Sequence, residues 1–162
     1  MPTLHFPRTT TYRKLDHDSM VIVLNIDTDE EYLEGVPCYW DAVDKVARPI
    51  PANASDDVVA MYCGIAQGTN PVKYHGPINR MAFYIGDTIV RLFAHAGEAL
   101  DHFVEVFAGD QPGVFTLADG GRVEKLGHVI IDSEESKEPR VTFEAEEVSI
   151  LMRRSIFKTR SF

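Results

Sequence analysis

Between residues 81 and 132, apolar side chains alternate or cluster over four to eight positions, and Gly-Asp, Gly-Asp-Gln-Pro-Gly and Asp-Gly-Gly turns separate most of the runs. Runs this short predict strands rather than helices, here over 81–85, 88–93, 103–107, 114–117 and 128–131. Upstream, MVIVLNI at 20–26 is a continuous β-branched run, and 36–40 and 46–50 are two shorter strands around a turn at 41–45. The segment 58–66 reads as a strand, although Ser55 ahead of Asp56 and Asp57 offers a short capped helix as the alternative. Strands over 141–143 and 148–152 close the pattern. No segment longer than about ten residues keeps a helical period; 96–107 alone has an ambiguous amphipathic reading. The expected fold is therefore all-β, a small barrel or sandwich of short antiparallel strands.

The prolines and the Thr-Thr-Thr run of residues 1–19 predict an extended arm. The β domain then spans 20–152, divisible into sub-lobes 20–70 and 78–152 at the Gly- and Pro-rich loop 67–77, and 153–162 form a C-terminal tail. A weak echo links the halves: Gly35 and Gly97 lie 62 residues apart, and Gly64 and Gly127 lie 63 apart. Similar β units and chance spacing explain it equally well.

Charge changes the picture more than composition does. The net charge is −9, yet Arg8, Arg13, Lys14, Arg153, Arg154, Lys158 and Arg160 put seven cations and no acid on the two ends, which leaves a body of −16. A body so acidic repels phosphates and argues against a nucleic-acid partner. Phe6, Tyr12 and Phe157 give the same ends apolar character, which suits docking onto an acidic neighbour as well as a solvated tail. No leader-like apolar segment opens the chain, and no run approaches the eighteen or so apolar residues of a membrane helix, so a soluble chain without a membrane partner is expected. Cys38 and Cys63 are expected as reduced, buried small hydrophobes. Alternation puts Trp40 on the face of Cys38, toward the core.

Candidate chemistry is sparse. Gly-x-Ser-x-Gly and the phosphate-binding glycine patterns are absent. The acidic turn Asp-Thr-Asp-Glu-Glu at 27–31 lacks the spacing and central glycine of a calcium loop and reads as solvated charge. The segment around His95, His102 and Glu105, with His128 downstream, resembles the histidine-and-glutamate motif of cupin barrels. That resemblance implies Fe, Mn or Zn on adjacent strands and gives the alternative function, a cupin-like metal-dependent enzyme or sugar-binding β-barrel. Against it, the His-x-His pair is missing and a seven-residue separation puts His95 and His102 on opposite faces of one strand.

A second resemblance covers more of the chain, about 20–152. Glu-Gly-Val-Pro-Cys-Tyr-Trp-Asp, Lys-Val-Ala-Arg-Pro-Ile and Cys-Gly-Ile-Ala are followed by Ile-Gly-Asp-Thr-Ile-Val-Arg-Leu, Ala-Gly-Glu-Ala-Leu, Val-Phe-Thr-Leu and Leu-Gly-His-Val-Ile. This cadence is similar to that of the head decoration, or capsid cement, proteins of tailed bacteriophages. The resemblance implies a structural virion protein on the outer capsid surface, made in the host cytoplasm, which stabilises the capsid by bridging neighbouring major capsid subunits. It implies a homo-oligomer, with a trimer favoured, no enzymatic activity, and neither metal nor cofactor. On that reading the binding residues are those of the ends: Phe6, Arg8, Tyr12, Arg13, Lys14, Arg153, Arg154, Phe157, Lys158 and Arg160.

Overall fold

The computed structural model describes residues 3–5, 11–12, 20–32, 35–67, 79–86, 89–94, 98–101, 103–110, 115–130, 140–143 and 147–158; for 3–5, 11–12, 89–94, 98–101, 140–143 and 147–149 the backbone alone is described. In chain order the strands are β1 (Thr3–His5), β2 (Thr11–Tyr12), β3 (Val21–Asn25), β4 (Pro37–Asp41), β5 (Val46–Pro49), β6 (Tyr62–Ala66), β7 (Arg80–Tyr84) and β8 (Ile89–Ala94). They continue as β9 (Glu98–Asp101), β10 (Glu105–Ala108), β11 (Phe115–Thr116), β12 (Gly127–Ile130), β13 (Arg140–Phe143) and β14 (Glu147–Met152), with one short helix, α1 (Asp56–Val59), between β5 and β6. The fold is all-β and its strand ladders are antiparallel, as the short apolar runs predict.

The first sheet has the order β3-β7-β6-β4-β5, and a bridge between Ile26 and Ala47 brings its two ends together. The sheet thus curls into a small barrel. Its concave side is filled by Leu24, Ile26, Tyr32, Val36, Cys38, Ala47, Cys63, Ala66, Met81 and Phe83. The second sheet has the order β1-β11-β10-β12-β14-β8-β2, and because β1 pairs with both β11 and β8, it too returns on itself. β9 and β13 form a separate ribbon.

A second core joins the two sheets. Ile50, Ala54, Val59, Tyr62 and Ile65 of the first sheet and its connections pack with Val106, Ala108, Phe115, Leu126, Val129, Ile150 and Met152 of the second. Strand β6 therefore serves two cores, and all five of its residues are buried. Strict alternation would put Tyr62 and Ile65 on opposite faces. The ladder shows why they share one: Cys38 faces Gly64 while Tyr39 faces Tyr62, so Cys63 is an extra, bulged residue. The bulge aims Tyr62 and Ile65 at the shared core and Cys63 and Ala66 into the barrel.

Glycines 64 and 127, the second pair of the sequence echo, have the same physical job. A Cβ on Gly64 would lie 2.7 Å from the Tyr84 carbonyl oxygen, at a φ of +153°. A Cβ on Gly127 would collide with the Leu151 carbonyl oxygen. Each glycine lets a neighbouring backbone approach.

Several boundaries differ from expectation. Residues 56–59 are helical and β6 begins at Tyr62, so the capped alternative describes this segment better than a strand from 58. The turn is held by Val58 and Val59 N–H donating to the Ser55 carbonyl, without a bond from the Ser55 side chain. β10 begins at Glu105 rather than 103, because Phe103 adopts φ 64° while its N–H donates to the Val129 carbonyl at 2.7 Å. β7 lies in the first sheet, so the chain changes sheet between Tyr84 and Ile89, after the loop at 67–77. The ambiguous stretch 96–107 contains β9, whose pairing partner β13 lies about forty residues on, out of reach of any local pattern.

Replacing Gly64 by alanine should cost about 1–3 kcal/mol, since the adjoining backbone has to move. Chemical denaturation should show a lower midpoint with an unchanged slope.

Candidate functional site

Three surface features are built from the described residues. The first is the outer edge of β3. The Ile85 N–H donates to the Met20 carbonyl at 3.1 Å and the Ile26 N–H donates to the Asn79 carbonyl at 2.9 Å. Alternation then directs the backbone groups of residues 20, 22, 24 and 26 toward β7, and those of Val21 and Val23 away from it. Among the described residues no strand pairs with that second edge before Ile26 reaches Ala47. The side chains beside it are Met20, Val21 and Val23, which are 38%, 44% and 52% exposed. An uncharged, β-branched, unpaired edge is a template for another strand.

The second feature is the acid-rich end of the barrel. Arg48, on β5, pairs with Asp27 and Glu30 through Nη1 at 2.8 and 2.9 Å, with Asp41 through Nε at 2.9 Å, and with Asp44 through Nη2 at 2.6 Å. The acidic turn read as solvated charge is thus half of a cage around one guanidinium. The Asp41 carboxylate also accepts from the Val43 and Asp44 N–H groups and shapes the β4–β5 turn, where Lys45 has φ 56°. A backbone N–H from Asp29 and the Arg48 side chain hold the Asp27 carboxyl below the usual range. The Asp41 carboxyl is lowered chiefly by Arg48 and then by the turn N–H of Asp44. Behind the cage, the buried Tyr32 hydroxyl donates to the Ala47 carbonyl and accepts from the Asp27 N–H at 3.1 Å, so the charged rim is tied to the apolar interior. Burial pushes this phenol up.

The third feature is an open groove of about 370 Å³ where β12 meets the end of β14, lined by Glu124, Lys125, Gly127, His128, Arg153 and Arg154. Its loop wall is braced from two sides. Arg122 donates to the carbonyls of Ala108, Ala118 and Asp119 and lies 5.9 Å from the centre of the Phe107 ring. Asp56 at the start of α1 accepts from the Val123 and Glu124 N–H groups at 3.0 and 2.9 Å. Arg153 donates to Glu124 at 2.9 Å and to the Lys125 carbonyl at 3.1 Å, and Lys125 pairs with Glu105 at 3.0 Å.

The residues singled out in the sequence are dispersed. Phe6, Arg8, Arg13, Lys14 and Arg160 lie outside the described residues, and Tyr12 is described by its backbone, paired with Ile89. The N-terminal segment is extended where described, and its strands belong to the chain's own second sheet. Arg153 and Arg154 sit in the groove. Phe157 packs edge-on against Trp40, with centroids 5.5 Å apart, and the Lys158 N–H donates to the Ser155 carbonyl. The C-terminal segment is anchored there by the buried Ser155 hydroxyl, which donates to the Cys63 carbonyl at 2.6 Å, and by the Ile156 N–H on the Tyr62 carbonyl. Trp40 shares the barrel side with Cys38, as alternation required. Both cysteines are buried and unbridged; burial raises the Cys38 thiol and pushes the Cys63 thiol up to about 12.

Of the cupin-like residues, His95 and His102 lie outside the described residues, whereas Glu105 and His128 face each other across β10 and β12. Glu105 is engaged by Lys125, and no group of three metal-ligating side chains is present among the described residues. No helix among them is long and apolar enough to cross a membrane.

No known family model matches the chain, and no curated protein or solved structure is significantly similar to it.

Replacing Arg48 by glutamine should lower stability at neutral pH, because four carboxylates lose their shared cation. Asp27 and Asp41 have depressed folded-state pKa values, so their pairing stabilises above about pH 4 and is lost as pH falls through the folded values. The gap between wild type and Arg48→Gln, followed by urea unfolding, should therefore narrow toward pH 3. Phe157→Ala should cost about 1–3 kcal/mol through the lost Trp40 contact and buried area, read as a drop in Tm.

Proposed function

We propose that this chain is a structural capsid decoration protein, which stabilises a bacteriophage shell by bridging neighbouring major capsid subunits on its outer surface. The observation that carries the reading is the unpaired β3 edge. Its main-chain donors and acceptors beside Met20, Val21 and Val23 pair with no other strand among the described residues, and a strand from another protein can extend the sheet there. Main-chain pairing of this kind adds affinity without an enclosed pocket. Repetition over a lattice makes a modest contact per copy sufficient. The cadence of Gly-turn and strand phrases through 20–152 supports the same reading.

The described parts of the two ends are engaged within the molecule, and the sheet edge adds a second grip to that of the basic ends. The cations of the ends, Arg8, Arg13, Lys14, Arg153, Arg154, Lys158 and Arg160, then add electrostatic attraction toward acidic capsid surfaces. A homo-oligomer, with a trimer favoured, would present several β3 edges at once. No turnover is part of this role.

Val23→Lys tests it. Position 23 is half exposed, so the fold should change by no more than about 0.5 kcal/mol, whereas a lysine on the edge opposes strand addition. Co-sedimentation with shells lacking the protein should show wild type bound and the variant at least about tenfold weaker. Equal binding by the variant would remove the edge from the contact, and failure of the wild type to bind any such shell would overturn the decoration role.

A further inference from the structure

The groove beside β12 and the acid-rich end of the barrel are opposite in charge, and each is already shaped as one half of a contact. In the groove, Lys125, Arg153 and Arg154 outnumber Glu124 and Glu105, within a chain whose net charge is −9. Arg154 is exposed, lines the groove and makes no ion pair among the described residues, a position from which a guanidinium can reach an incoming carboxylate. The groove is preformed: Arg122 and Asp56 fix its wall, and Gly127 admits the Leu151 backbone at its floor. An arriving acid therefore meets cations that need little reordering.

At the barrel end, Asp27, Glu30, Asp41 and Asp44 share the single Arg48 guanidinium among the described residues, and Asp29 and Glu31 add two more carboxylates to the same turn. Arg48 cannot neutralise its four partners, and the Asp44 side chain, 59% exposed, projects furthest into solvent of those four. The hairpin tip beside it also carries Val43, 89% exposed, which adds apolar surface to the tip. No ion pair joins the two patches within one chain among the described residues.

We propose that the groove of one copy receives the β4–β5 hairpin tip of the next, with Asp44 reaching Arg154, in a head-to-tail contact between identical chains. Different patches meet in such a contact, so repetition builds a ring or a row rather than a two-fold dimer. Charge supplies the selection: two acidic bodies repel one another except where this groove faces that rim. The contact shares Arg154 with the decoration role but uses neither the β3 edge nor any shell, so association measured without capsid tests it separately.

Light scattering and sedimentation on the purified full-length chain test the contact in the absence of capsid. Wild type should self-associate at about 0.05 M salt and dissociate toward about 1 M, where the screening length falls to about 3 Å. Arg154→Glu and Asp44→Lys should each weaken association at least about tenfold, with unchanged circular dichroism, and the double variant should recover it. A monomeric wild type at low salt, single variants that associate normally, or a double variant that stays dissociated while folded would each overturn the contact. Val23→Lys should associate as wild type; its failure on shells would bear on the decoration role alone.

Discussion

Strand β6 has water on neither side, and the rest of the molecule is arranged around that fact. One face closes the small barrel while the other carries Tyr62 and Ile65 into the core shared with the second sheet. A regular strand of five residues would alternate strictly and could not give both cores these side chains in this order. The bulge at Cys63 resets the alternation, and the bare Cα of Gly64 lets Tyr84 come close enough to keep the ladder intact. The C-terminal segment then fastens onto the same strand through the Cys63 and Tyr62 carbonyls, so the last described residues of the chain depend on its middle.

Polar groups support this frame by bracing loops. Tyr32 links the Asp27 turn to the backbone of β5, Arg48 gathers two acidic turns, Arg122 ties its loop to β10, and Asp56 fixes the wall of the groove. Each joins segments distant in sequence but close in space, and each leaves a rigid surface. The surfaces that result are an uncharged strand edge, an acidic rim and a basic groove. Features of this kind suit assembly, where many modest, directional contacts are summed over copies. The buried thiols of Cys38 and Cys63, with their raised pKa values, are core packing rather than reactive groups.

What the sequence determined by itself was the class of the fold and most of its strands. Runs such as MVIVLNI and the paired phrases around the 41–45 turn have local causes: β-branched residues, glycine turns, and an aspartate that organises its own hairpin. The inward face of Trp40 and Cys38 and the burial of both cysteines were legible for the same reason, since alternation is a local rule. The acidic turn was visible too, but its partner was not, because Arg48 lies 21 residues from Asp27 and only barrel closure brings them within 2.8 Å. Tertiary structure alone decided that β1 would pair with both β8 and β11, that β7 would join the first sheet, and that Phe157 would rest on Trp40. It also decided which strand edge would have no partner among the described residues and which cations would line a groove. Pairing between strands depends on what is left to bury once the chain has collapsed, and a period-two pattern shows which face of a strand is apolar but not which neighbour will cover it.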